Sequence, residues 1–225
     1  NESLLKICTD VRNVAECNLS YNKGMDLYNQ HKYEEAIEYY NKALYIDPAN
    51  EKYLTAKQQA RNAIEKKEEA SVLYNKGKNL YNQNKYKEAI AYYDKASGLD
   101  PDNDTYSNAR HQAYSSILYN KGKNLYNQNK YKEAIEYYDK ALELYDKDED
   151  VWYDKGNILA LMGYYNEAIE CYDSAIYIDR NFAYAWCGKG NALVSLGRAD
   201  EAIICYRLAL RAAPDNKYVQ KCNYD

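Results

Sequence analysis

The sequence predicts an all-α fold, a solenoid of stacked antiparallel helix pairs, and three observations predict it. The block YNKGKNLYNQNKYKEAI stands at Tyr74 and again, unchanged, at Tyr119, with shorter echoes at Tyr21, Tyr153 and Cys187. Within each copy, small and apolar residues recur at helical spacing. Between the two halves of each copy lies a short polar turn, and Pro follows three of the copies, so each unit reads as helix, turn, helix, stop.

The first helix of each copy is anchored by Gly24, Gly77, Gly122, Gly156 and Gly190, with Leu27, Leu80, Leu125, Leu159 and Leu193 one turn on. The turn carries Asn84, Asn129, Gly163 and Gly197 at one equivalent position, residue types that tolerate a left-handed backbone. The second helix carries Ala36, Ala89, Ala134, Ala168 and Ala202, each followed by Ile. Four positions beyond each Ala stands Tyr40, Tyr93, Tyr138, Tyr172 and Tyr206, and then Ala43, Ala96, Ala141, Ala175 and Ala209. Offsets of three, four and seven define one helix face. The Gly and Ala positions let paired helices approach closely, and the Tyr rings are expected to fill the gaps between neighbouring pairs. Pro48, Pro101 and Pro214 stop the second helix, because Pro drives the preceding residue out of the helical region.

These signals give five repeats, 17–50, 70–103, 115–148, 149–182 and 183–216, within a single solenoid spanning 1–225. The last steps between copies are 34 residues, but the third copy arrives 11 residues late and the second 19 late. Three turns of ideal helix take about 10.8 residues, so an 11-residue insertion lengthens a helix without changing its face. The extensions 1–16, 51–69 and 104–114 are therefore read as N-terminal elongations of the first helices of repeats one to three. They carry the stripes Leu4, Ile7, Cys8, Val11, Val14; Tyr53, Ala56, Ala60, Ile64; and Tyr106, Ala109, Ala113, Ile117. Packed side by side, they would project as a ledge; the alternative is a separate third helix folded back. The 19-residue insertion slips phase by about a quarter turn, which predicts a bend or break near Glu65–Glu69. Residues 217–225 begin a further or capping helix.

Composition narrows the function classes. The chain has 225 residues, net charge −4 and no long basic run, which disfavours nucleic acid and membrane surfaces as partners. No apolar stretch approaches the length of a membrane span, so no membrane insertion is expected. Tyr is unusual, 29 against a single Phe, so many interior rings must find a partner for a hydroxyl. Six Cys without a C-x-x-C pair resemble no zinc site and need no disulfide framework, which predicts reduced thiols and a cytoplasmic compartment. The first residue is Asn, so the start is expected to be processed or truncated, leaving a removed signal peptide open. Cys171 and Cys205 read as small core residues. No phosphate loop, nucleophile elbow or zinc-protease motif occurs, and the two His stand far from Cys187; no enzyme activity, cofactor or metal is expected.

The Gly, Ala and Tyr pattern, the 34-residue period, Trp152 and Trp186 resemble the tetratricopeptide repeat (TPR) family over about three quarters of the chain. The residue before each Gly departs from that pattern, being Lys23, Lys76, Lys121, Lys155 and Lys189, and reads as a snorkelling side chain. The resemblance implies a right-handed solenoid whose first helices line a concave groove that holds a peptide or helix of a partner protein. On this reading the groove residues are Tyr21, Tyr28, Asn29, Tyr74, Lys78, Tyr81, Asn82, Tyr119, Lys123, Tyr126, Asn127, Tyr153, Asn157 and Asn191. Met25, Ala160, Leu161, Cys187, Val194 and Ser195 stand at further equivalent positions. Asn amides can grip a peptide backbone, Tyr rings give flat area at low entropy cost, and Lys78 and Lys123 can attract a carboxylate. TPR domains that bind heat-shock chaperone tails use a Lys, Asn, Asn, Lys and Arg clamp. Here the first Lys and Asn positions hold Tyr21/Met25, Tyr74/Lys78 and Tyr119/Lys123, and the Arg position holds Asp154 or Gly188, which argues against chaperone tails. Two functions remain: a noncatalytic scaffold or adaptor, or the targeting array of a larger enzyme. Self-association through uncapped ends or extension helices is a further expectation.

Overall fold

The computed structural model describes residues 2–222, apart from the side chains of residues 2–5. Helices α1 (Glu2–Asn29), α2 (Tyr33–Ile46), α3 (Glu51–Asn82), α4 (Tyr86–Leu99), α5 (Asp104–Asn127) and α6 (Tyr131–Leu144) are followed by α7 (Glu149–Leu161), α8 (Tyr165–Ile178), α9 (Ala183–Ser195), α10 (Ala199–Ala212) and the short α11 (Lys217–Lys221). No strand occurs among the described residues. The chain divides into two compact units, Asn1–Lys76 with Tyr92–Asp104, and Gly77–Ala91 with Thr105–Asp225.

The turns inside the repeats share one construction. His31, Asn84 and Asn129 adopt φ of 60°, 61° and 60°, and Gly163 and Gly197 adopt 84° and 75°. The backbone N–H of the residue immediately before each second helix then donates back to the carbonyl of the repeat's Leu: Lys32 to Leu27, Lys85 to Leu80, Lys130 to Leu125, Tyr164 to Leu159 and Arg198 to Leu193. This is the hydrogen-bond closure of a left-handed helix end, and it explains why the Leu and the turn residue keep fixed spacing. In the first three repeats the left-handed side chain also meets a Tyr two residues on. Tyr86 donates to Asn84 Oδ1 at 2.6 Å, Tyr131 to Asn129 Oδ1 at 2.9 Å, and His31 Nδ1 hydrogen-bonds Tyr33 at 2.9 Å.

The first unit is built on α1, α2, α3 as far as Lys76 and the C-terminal part of α4 from Tyr92. Leu27, Ala36 and Tyr40 are buried with Ala56 and Ala60 of α3, and Cys17, Ala43 and Tyr53 form a second cluster. The stripe of the 51–69 segment thus lies against α1 and α2, with Lys67 Nζ 5.0 Å from the centre of the Tyr33 ring. α3 runs without interruption through Glu65–Glu69. On α1, Ile7, Val11 and Val14 are exposed; the Leu4 side chain lies outside the described residues.

In the second unit, consecutive helix pairs stack in chain order. Ala134, Tyr138, Ala141, Leu142, Val151 and Ile158 join α5, α6 and α7, and Ala168, Tyr172, Ala175, Ile176, Ala185 and Ala192 join α8 and α9 to α7. Leu193, Ala202, Cys205 and Tyr206 close the α9–α10 pair. The Tyr rings do more than fill gaps between pairs: each lies first against the Gly of its own repeat. A Cβ added at Gly122, Gly156 or Gly190 would stand 2.4, 2.8 or 2.4 Å from Cε1 of Tyr138, Tyr172 or Tyr206. Tyr172 also touches the next repeat, where a Cβ at Gly188 would meet its ring at 2.7 Å. The Lys before the anchoring Gly is half-buried and paired in the last two repeats, whereas Lys23, Lys76 and Lys121 are exposed and do not snorkel. Lys155 pairs with Asp139 at 2.6 Å beside the Trp152 ring, and Lys189 pairs with Asp173 at 2.5 Å beside Trp186.

Candidate partner-binding site

The first helices of the second unit border a cavity of about 440 Å³. α7 contributes Tyr153, Asn157, Ala160 and Leu161; α9 contributes Gly188, Asn191, Ala192 and Ser195. Tyr126 of α5, Tyr165 and Tyr172 of α8, and Tyr218 of α11 complete the lining.

The cavity is polar where the two Asn residues stand, and their orientation is fixed from below. The buried Tyr172 hydroxyl donates to Asn157 Oδ1 at 2.9 Å, and the Tyr206 hydroxyl donates to Asn191 Oδ1 at 2.8 Å. Each bond satisfies an otherwise buried phenol and holds a carboxamide by its oxygen. The amide nitrogen, with two N–H donors, is then the end turned to the cavity, and at Asn157 it also meets the Tyr153 hydroxyl of the lining. In the first repeat the same job falls to Met25, whose Sδ accepts from Tyr40 at 3.4 Å.

Four of the sequence-predicted groove residues, Tyr126, Tyr153, Asn157 and Asn191, come together in this cavity. Tyr119 lies in the same unit but outside the lining. Its hydroxyl donates to Asp154 at 2.7 Å and its ring stacks 5.6 Å from Tyr138. Burial pushes the Tyr119 phenol far above its ordinary value, and the adjacent Asp154 carboxylate adds to the rise. Lys123 Nζ sits 5.0 Å from the Tyr119 ring centre, where its charge favours the ionised forms of Asp150 and Asp154. Both carboxyls are nevertheless raised, because desolvation dominates. Lys123 thus faces carboxylates of its own chain. Asn127, Asn82 and Lys78 are exposed in the second unit, and Tyr81 hydrogen-bonds Ser116 at 2.9 Å and meets Tyr86 edge-on with ring centres 5.1 Å apart.

The remaining predicted residues belong to the first unit. Tyr21 stacks 5.9 Å from Tyr40 and 5.2 Å from Tyr53, Tyr28 stacks 5.2 Å from Tyr33, and Tyr74 stacks 5.7 Å from Tyr93; Asn29 is exposed. Tyr at the position three before the Gly therefore serves as a packing ring against the core Tyr of its repeat, a role that sequence spacing alone does not separate from ligand contact.

Cys187 requires a correction. Its position is equivalent to groove residues, but it is wholly buried, covered by Val219 of α11 and packed on Ala183 and Ala209. Cys171 and Cys205 are buried in the second helices, and burial pushes the Cys171 thiol up to about 11. Tyr218 and Tyr165 are lining residues that spacing did not select. Tyr218 enters from the C-terminal helix, and the only sequence signal was the helix start NKYVQKC. Among the described residues no group of three or more His, Cys, Asp and Glu side chains could hold a metal, and no helix is long and apolar enough to cross a membrane.

A comparison with curated protein sequences gives no match. Among solved structures, the chain is similar to the TPR domain of Arabidopsis OM64, at 22% identity and TM-score 0.47, over 50% of this chain and 93% of that one. The first TPR domain of Spaghetti (RPAP3) bound to an HSP90 peptide gives 22% identity and TM-score 0.47, over 49% and 87%. The MamA protein gives 22% identity and TM-score 0.39, over 88% and 92%. Family models described as tetratricopeptide repeat match residues 18–50, 70–103, 115–148 and 183–216, and one described as TPR repeat matches 156–197. Together they cover well over half of the sequence, and the chain belongs to the tetratricopeptide repeat family.

Proposed function

We propose that the chain is a noncatalytic protein-interaction module that holds an extended segment of a partner protein across α7 and α9. The observation that carries this reading is the pair Asn157 and Asn191, each held through its oxygen by a core Tyr and each lining the cavity. The two residues occupy equivalent positions in successive repeats. Packed helices lie about 8–10 Å apart, and an extended chain advances about 3.3 Å per residue. The two amides are therefore spaced to bond peptide carbonyls roughly three residues apart. Tyr126, Tyr153 and Tyr218 supply flat apolar walls for the side chains between them. Asp150 and Asp154, near Lys123, make the α5–α7 side of this face a poor seat for a carboxylate-rich segment, in keeping with the absent chaperone-tail clamp.

The test is an array of immobilised twelve-residue peptides probed with the chain and with the double variant Asn157→Asp, Asn191→Asp. Asp keeps an oxygen to accept the Tyr hydroxyls but removes the amide donors, so the fold is preserved, as circular dichroism would verify. Peptides captured by the parent chain should weaken at least tenfold on the variant. Capture of the same peptides with unchanged strength would refute the assignment.

A further inference from the structure

The end of the described chain brings two thiols together. Cys187, in the second turn of α9, is fully shielded in a cluster with Ala183, Ala209 and Val219. Cys222, one residue past α11, is half-buried against the same cluster; its thiol donates to Tyr218 O at 3.3 Å, and its sulfur lies beside the Cys187 thiol. α11 is held there by several contacts besides. Asn216 caps it through the N–H groups of Tyr218 and Val219 and donates its amide to the Tyr184 hydroxyl at 2.9 Å, and the Tyr218 ring lies 5.5 Å from Tyr184. The other thiols are placed elsewhere. Cys8 is exposed on α1, Cys17 donates to Ala43 O, and Cys171 and Cys205 sit in separate second helices.

We propose that Cys187 and Cys222 form a thiol-modification site, oxidised by a glutathione-type disulfide to an intramolecular bond that ties α11 to α9. Cys222 is the entry thiol because it alone of the two reaches solvent. It gives its proton to water, and its sulfur attacks one sulfur of the oxidant. A mixed disulfide forms, and one glutathione leaves and takes up a proton. Cys187 then loses its proton and attacks the Cys222 sulfur, and the second glutathione leaves as a thiol. Two electrons pass from the protein sulfurs to the oxidant, which is reduced to two thiols. The second step is the slow one, because burial holds the Cys187 thiol well above its ordinary value and the thiolate is the attacking species. Its product is uncharged and suits the apolar pocket better than a thiolate does. Thiols lodged in one cluster need only release of Cys222 from Tyr218 O, side-chain rotation and a small shift of a five-residue helix to reach the bonded separation of about 2.05 Å. The bond would fix Tyr218, and with it one wall of the cavity, whatever the cavity binds.

The experiment equilibrates the full chain with glutathione disulfide, unfolds it in iodoacetamide, and analyses an unreduced tryptic digest by mass spectrometry. The expected product joins peptide 181–189 to peptide 222–225 at two hydrogens below the summed mass. It should vanish with dithiothreitol and in Cys222→Ser. Amide exchange over 219–221 should slow at least tenfold on oxidation. Cys187 recovered as the alkylated thiol while Cys222 carries only glutathione, or Cys222 joined to Cys8 of a second copy, would overturn the proposal. A bond formed without slower exchange would overturn the tether.

Discussion

Glycine inside a helix costs roughly 0.5–1 kcal/mol relative to Ala, so the repeated Gly of this chain must be compensated by what its missing Cβ allows. At Gly122 the compensation is the Tyr138 ring, whose Cε1 and Cδ1 would stand 2.4 and 2.6 Å from a Cβ. At Gly98, inside α4, nothing lies within 4 Å. The same substitution should therefore change sign between the two sites. Gly98→Ala is expected to stabilise by roughly 0.5–1 kcal/mol, whereas Gly122→Ala is expected to cost about 1–3 kcal/mol through overpacking. Urea unfolding of both variants measures the contrast. The anchoring role of Gly122 was legible from its recurrence. That its neighbour is the Tyr of the same repeat was not, because spacing along the chain fixes a face and not the ring that covers it.

At the scale of the element, ends were more legible than lengths. Asn84, Asn129, Gly163 and Gly197 are residue types that favour a left-handed turn, and all four adopt it. His31 adopts it too, with only its hydrogen bond to Tyr33 to signal it. Pro marked three helix stops, yet α6 and α8 end without one, Tyr145 and Asp179 turning extended while their N–H groups bond to Ala141 and Ala175. The shortest helix carries the largest consequence. α11 covers Cys187 and places Tyr218 in the cavity lining, and a five-residue helix does not persist by its own propensity. Asn216→Ala removes both its cap and the bond to Tyr184, a loss of about 1 kcal/mol for the cap alone. Hydrogen exchange over 218–221 should accelerate by about fivefold or more, with exchange in α7 and α8 unchanged. Equal acceleration throughout would mean that the cap supports the whole unit and not this helix.

For the whole molecule the abundance of Tyr becomes a pH dependence. Burial pushes the Tyr40 phenol up to about 12, and Tyr119, Tyr138, Tyr172 and Tyr218 are raised further, with desolvation first among the causes. These groups hold their protons in the folded chain at pH values where the unfolded chain, near 10, releases them. Stability is then unaffected by them below pH 10 and falls as the pH rises from 10 through 12. Phenolate absorbance and circular dichroism recorded together should show the late-titrating buried Tyr ionising with loss of helix. Smooth ionisation of every Tyr with the helices intact would contradict the buried-ring core. The fold class was readable from the period alone. The binding site was readable only in part, because Asn157 and Asn191 gain their meaning from phenols fifteen residues away, and Tyr119 and Cys187 lose theirs to Asp154 and α11.

The most direct measurement of the central claim is a nuclear magnetic resonance titration of the chain with a peptide captured on the array. The account predicts that the side-chain amide signals of Asn157 and Asn191 shift together and saturate at one stoichiometric equivalent, while the indole signal of Trp186, bonded to Arg180 O on the second-helix side beside Tyr177, stays in place. Movement of the Trp186 indole with both Asn amides unmoved would contradict it.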